Sequence, residues 1–191
     1  MALTGRAAYR IAGHQFSDED FDKNANILTS KLGTRTLYYT IPATAFYLTG
    51  ASVIKTTSNV FGGVTLPNTN AGFMYAAIPI PHEYDSGNVV VKILWNSAAI
   101  SGDMKLFARI KPVIEGDTTT DSAAVTGTST AKGTTLLLNE LTITITEANF
   151  RTSGSERMIG LRISRDPADG SDTINSDVKI FAVSLEFTGR G

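Results

Sequence analysis

The chain has 191 residues, with 17 lysines and arginines against 18 aspartates and glutamates and a formal net charge of −1. That balance gives no electrostatic footprint for nucleic acid, and the absence of cysteine excludes disulfides, thiolate metal sites and a cysteine nucleophile. The length suits one domain, or one domain plus an arm, and no stretch approaches the ~20 apolar residues of a membrane span.

Residues 1–34 are polar and irregular. The acidic cluster Asp18, Glu19, Asp20 and Asp22 lies beside the isolated aromatics Tyr9, Phe16 and Phe21. Ser17 could cap a short helix with Asp20 near its third position. Nothing here resembles the apolar core of a signal peptide. A purely solvated leader has no use for spaced aromatics. The expectation is an arm, with Tyr9, Phe16 and Phe21 as anchors on a neighbouring subunit.

Strand patterning starts at Thr36. Leu37, Tyr39 and Ile41 alternate with Thr36, Tyr38 and Thr40, and Pro42 ends the run. Short strands are expected over 46–48, 53–57 and 64–66, with Gly50 and Gly62-Gly63 marking turns. Residues 72–80 form another, which Pro79 and Pro81 push toward an edge or an end. The clearest pair follows. Val89, Val91, Ile93 and Trp95 share one face. After the Ser97–Asp103 turn, Met104, Leu106, Ala108 and Ile110 share another, so the two strands read as a central hairpin. Residues 115–135, rich in Thr, Ser, Ala and Gly, have little to bury and read as a long loop or a weak hairpin.

Leu141, Ile143 and Ile145 then face inward against Thr142, Thr144 and Thr146, and Glu147–Phe150 suits one helical turn. Ile159, Leu161 and Ile163 make a strand, a polar turn runs over 165–172, and Phe181, Val183, Leu185 and Phe187 line the last strand. The two closing strands read as antiparallel neighbours. The final one, too apolar for an exposed edge, belongs inside a sheet. Roughly eight to ten short strands without a long amphipathic helix predict an all-β, antiparallel β-sandwich. Long, uneven connections favour a jelly roll over a meander. The expected domains are an N-terminal arm over 1–34 and a sandwich over 35–191.

The chemical inventory is thin. His14 and His82 are the only histidines, too few ligands for zinc without cysteine. No nucleophile elbow or phosphate loop occurs. Asp166, Asp169 and Asp172 around Gly170 offer carboxylates to a hard cation such as calcium, but they depart from the alternating calcium-loop pattern and are ordinary turn residues. No cofactor and no catalysis are expected. Tyr38, Tyr39, Tyr47, Tyr75 and Tyr84 can serve as core, as subunit contacts or as sugar-stacking platforms.

Three elements in order carry a resemblance: Ile80-Pro81-His82-Glu83-Tyr84-Asp85-Ser86-Gly87 leading into Val89–Trp95, then Gly102-Asp103, then Arg165-Asp166-Pro167 with Asp172-Thr173 and a terminal strand over 178–187. Over roughly residues 72–188 the chain resembles jelly-roll virion structural proteins of tailed phages and related viruses. The resemblance implies a non-enzymatic capsid-associated or tail-appendage protein, assembled in a host cytoplasm. It would form a symmetric homo-oligomer with other virion proteins as partners and without direct nucleic-acid or membrane contact. The alternative is a carbohydrate-binding β-sandwich module with a glycan as partner.

Overall fold

The computed structural model describes residues 10–11, 14–15, 34–58, 61–84, 86–113, 123–149 and 158–190. Arg10–Ile11 (β1) and His14–Gln15 (β2) pair with each other. Tyr9, Phe16 and Phe21, the expected arm anchors, lie outside the described residues.

The rest is a two-sheet antiparallel β-sandwich, as the alternation predicts. Its strands are Thr34–Pro42 (β3), Tyr47–Thr49 (β4), Ile54–Ser58 (β5), Phe61–Leu66 (β6), Gly72–Pro79 (β7), Val89–Ser97 (β8), Asp103–Val113 (β9), Val125–Thr130 (β10), Asn139–Ile145 (β11), Met158–Arg165 (β12) and Val178–Arg190 (β13). One sheet is five-stranded, in the order β10-β9-β12-β7-β4. The other runs β11-β8-β13-β6-β5, with β3 also on β13.

Between the sheets lies one apolar core. Trp95, Val91, Ile93, Leu106, Ile143, Leu161, Phe181, Val183 and Leu185, each on the apolar side of its strand, are all buried. Because the side-chain period is two, correct phase over a few residues commits the whole strand to one face. β13 departs from that rule once. Its register on β8 shifts between Ile180 and Ala182, a bulge that turns Val178 and Ile180 inward together with Phe181, Val183, Leu185 and Phe187. On its other edge β13 pairs with β6 before the bulge and with β3 after it. The final strand therefore sits inside its sheet, as its apolarity requires.

Three expectations need correction. β8 and β9 are not a hairpin: β8 pairs with β11 and β13, whereas β9 pairs with β10 and β12 in the opposite sheet. β12 and β13 also lie in different sheets. Alternation reports which face of a strand is buried and is silent about its partner, and a short connection can cross the sandwich as readily as it can reverse. Gly102 makes the first crossing possible. Its φ is +99°, and a Cβ there would lie 2.8 Å from the carbonyl oxygen of Thr173. The segment 125–130, expected to be loop or weak hairpin, is the edge strand β10. Its Gly127 lets the two sheets close on each other: a Cβ at this point would stand 2.6 Å from Ile143 Cγ1. The helical turn expected near 147 is a 3-10 turn over Glu147–Asn149. The prolines of β7 find their place as well. β7 is interior, but β4 covers only its Phe73–Tyr75 part, so Pro79 needs no donor on that side.

The polar crossing from β12 to β13 is held by one buried cation. Arg165 is fully buried. Its Nε and Nη2 donate to the two carboxylate oxygens of Asp172, each at 2.9 Å, and Nη1 and Nη2 also donate to the carbonyls of Ser176 (2.9 Å) and Ile174 (2.7 Å). A buried guanidinium is tolerable only when its donors are matched in this way.

Candidate functional site

The outward face of the five-stranded sheet carries the densest chemistry among the described residues. Inward positions of β7, β9 and β12 are spent on the core, through Met74, Ile78, Leu106, Ile110, Leu161 and Ile163. The alternate positions must then face out. In β7 these are Phe73 and Tyr75. In β9 they are Lys105, Phe107, Arg109 and Lys111, and in β12 Arg162 and Ser164.

Register sets these side chains in rows. Tyr47 of β4 lies opposite Tyr75, Tyr75 opposite Arg162, and Arg162 opposite Arg109. The next row is Thr49, Phe73, Ser164, Phe107 and Thr126. Rows two residues apart on a strand stand about 6.7 Å from each other, so the aromatic rings form a patch rather than a line. Tyr47 and Tyr75 have ring centroids 6.5 Å apart with planes tilted by 56°, and Phe73 and Tyr75 stack at 6.5 Å. The Arg162 guanidinium sits 5.6 Å above the Phe73 ring, and the Lys105 ammonium 5.2 Å from that of Phe107. Tyr47 is 72 % exposed, a large aromatic surface left in water on a short edge strand.

Other candidates separate. Tyr84 is buried, donates to the Gly87 carbonyl at 2.6 Å and packs edge-on against Phe187. It is a core residue. Tyr38 and Tyr39 sit on β3 in the other sheet. His82 is exposed beyond the end of β7. The carboxylates of the 166–172 turn do not converge. Asp166 accepts from the Ala168 amide, Asp169 from Lys105 Nζ at 2.8 Å, and Asp172 from Arg165. No group of three or more His, Asp or Glu poised for a metal ion occurs among the described residues. Arg165 braces this turn through Asp172. The hydrogen bond from Lys105, and after it the Ser171 amide, holds the Asp169 carboxyl below the usual carboxylate range.

Phe73, Phe107, Arg109 and Arg162 escape a reading that looks for tyrosines and acidic clusters. Their signal is present in the sequence: large or charged side chains at the outward phase of strands whose inward phase is apolar, save Arg165 at the end of β12.

No known family profile matches the sequence, and no curated protein matches it. Solved structures do match. A domain of an exo-β-1,3-galactanase from Phanerochaete chrysosporium superposes with a TM-score of 0.50 at 8 % identity, covering 78 % of this chain and 29 % of that one. The CBM36-1 domain of a multidomain xylanase from the hindgut metagenome of Trinervitermes trinervoides gives 0.49 at 15 % identity, over 78 % and 96 %. A xylan-binding module, CBM15, gives 0.45 at 15 % identity, over 82 % and 100 %. At these identities the likeness is one of fold. It bears out the jelly-roll β-sandwich.

The expected kinship with phage virion proteins is corrected by these matches, which are to carbohydrate-binding modules and related domains and not to virion jelly rolls. The capsid or tail role, the virion location and the virion partners go with it, and a symmetric homo-oligomer draws no support. The physical reason lies in the residues that carried the resemblance. Val89–Trp95 is a core strand, Gly102 a sterically required crossing, and Arg165 with Asp172 a buried brace. All three serve the sandwich itself, and a shared fold does not carry function with it.

Proposed function

We propose that the protein is a non-catalytic carbohydrate-binding module whose ligand lies across the outward face of the five-stranded sheet. The observation that carries this reading is the aromatic patch of Tyr47, Tyr75 and Phe73 on neighbouring strands, with Tyr47 72 % exposed. Large aromatic area turned to water is costly to leave uncovered and is a mark of a binding surface. A pyranose ring presents a flat array of C–H bonds that lies against such rings, while its hydroxyls reach the polar neighbour Thr49 in the adjoining row. Because the strands hold the rings in place, little ordering entropy is lost on binding. Several of the matched structures are described as carbohydrate-binding modules, one in complex with xylotriose and one with β-1,4-galactotriose, and the proposal agrees with that company without resting on it.

The test is a panel of soluble and insoluble polysaccharides in affinity gels and pull-down, with isothermal calorimetry on whatever is retained. Tyr47→Ala and Tyr75→Ala should each weaken retention at least tenfold while leaving the thermal melt nearly unchanged, since Tyr47 contributes little to the core. Retention that survives both substitutions would move the site elsewhere on the molecule.

A further inference from the structure

The aromatic patch is surrounded by positive charge, and this points beyond a neutral sugar. We infer that the ligand of this face is an acidic polysaccharide, one bearing uronate carboxylates; the inference rests on the carbohydrate-binding reading and narrows it. Outward positions of β9 and β12 carry Lys105, Arg109, Lys111 and Arg162, and the outward positions of β4, β7 and β12 carry no carboxylate. Among the described residues the anions at hand are peripheral: Asp103 opens β9, and Asp169 reaches in from the turn to hold Lys105. Arg162 stands in the same row as Tyr47 and Tyr75, with Arg109 next to it. A sugar stacked on the tyrosines therefore has guanidinium groups on the adjoining strands, at the distance of one or two strand spacings of about 4.8 Å.

Guanidinium suits this task. It presents several N–H donors in a planar fork matched to a carboxylate, so a ligand anion can join the contacts Arg109 and Arg162 already make within the protein. The pairing is charge-assisted and depends on orientation. Tracking a nucleic-acid backbone would call for cations strung along a groove and for a basic domain. Here the whole chain carries −1, and the cations on this face form a patch rather than a continuous groove.

The experiment compares three probes by calorimetry at low and moderate salt: an oligogalacturonate or oligoalginate, its carboxyl-reduced neutral counterpart, and poly(U). The uronate should bind at least tenfold more tightly than its reduced form, and the difference should shrink as salt rises. Arg109→Gln and, separately, Lys111→Gln should each lower uronate affinity several-fold, and by more than they lower affinity for the reduced, neutral sugar. Arg109→Lys should recover only part of the loss. Equal affinity for uronate and reduced sugar overturns this inference and leaves the binding module standing. No affinity for any sugar overturns both. Preferential binding of poly(U) replaces both with a single-strand nucleic-acid platform.

Discussion

Arg165 shows what a single residue can commit a chain to. With its side chain fully buried and paired to Asp172, its desolvation is offset only while every partner stays in place. Replacing Arg165 with methionine leaves a buried, uncompensated carboxylate, and stability should fall by about 3–5 kcal/mol. Arg165→Met with Asp172→Leu should recover part of that loss. Urea unfolding followed through Trp95, the only tryptophan and fully buried, measures both. A small acid-side effect belongs to the same turn. The Asp169 carboxyl is held low by Lys105, so its folded value lies under its unfolded one. The stabilisation is complete above the unfolded carboxylate range and is lost as pH falls through the folded value. Lys105→Gln should flatten that part of the acid limb of the stability profile. Lys92, raised through its hydrogen bond to Glu186, acts in the opposite sense: its contribution is complete below the ordinary lysine range and fades as pH climbs through the raised value. Neither of these two pairings is marked by spacing in the chain. Lys105 and Asp169 are 64 residues apart, and only the fold brings them together.

Among the elements, β10 is the instructive one. A Thr/Ser/Gly run has no apolar stripe, and by composition alone it cannot repay its ordering. It becomes a strand because the β9 edge offers it backbone partners from Val125 to Thr130. Gly127 then allows β10 to close against β11, since a Cβ would meet Ile143 and Leu141 at 2.6 and 2.9 Å. Gly127→Val should therefore cost about 1–3 kcal/mol through overpacking, read as a lower melting temperature, although valine has the better strand propensity. A rise in melting temperature would show that the edge has room to spare. β9 offers the complementary lesson. Its inward phase was legible from Met104, Leu106, Ala108 and Ile110, and the same phase placed Lys105, Phe107, Arg109 and Lys111 outward. That Phe73, Tyr75 and Arg162 join them on one face depends on β7 and β12 being its near neighbours, and this is a matter of topology.

At the scale of the molecule, the buried residues of the described core run from Ile41 onward, and β3 begins at Thr34 opposite Arg190 of β13. The expected division puts the arm over 1–34 and the sandwich over 35–191; keeping β3 whole moves the cut to Thr34. We propose that residues 34–191 fold without those before them, and that the truncated chain keeps the thermal melt and the sugar retention of the whole. A chain that unfolds on truncation would place the leader within the domain's own stabilising contacts.

Period-two alternation by itself determined which residues are core, because a strand offers its side chains only two faces and water sorts them. Turn chemistry, through Gly102 and the Asp-rich segment before β13, marked where strands must end. Strand pairing was decided only in three dimensions. The chain pattern of β8 and β9 is that of a hairpin, yet burying both apolar faces in one shared core is done by placing them in opposite sheets, and local sequence carries no term for that choice. The candidate site follows the same division. Its residue types stand in the sequence at the outward phase, but a binding face exists only once Tyr47, Tyr75, Arg162 and Arg109, drawn from four separate strands, come into register across one sheet.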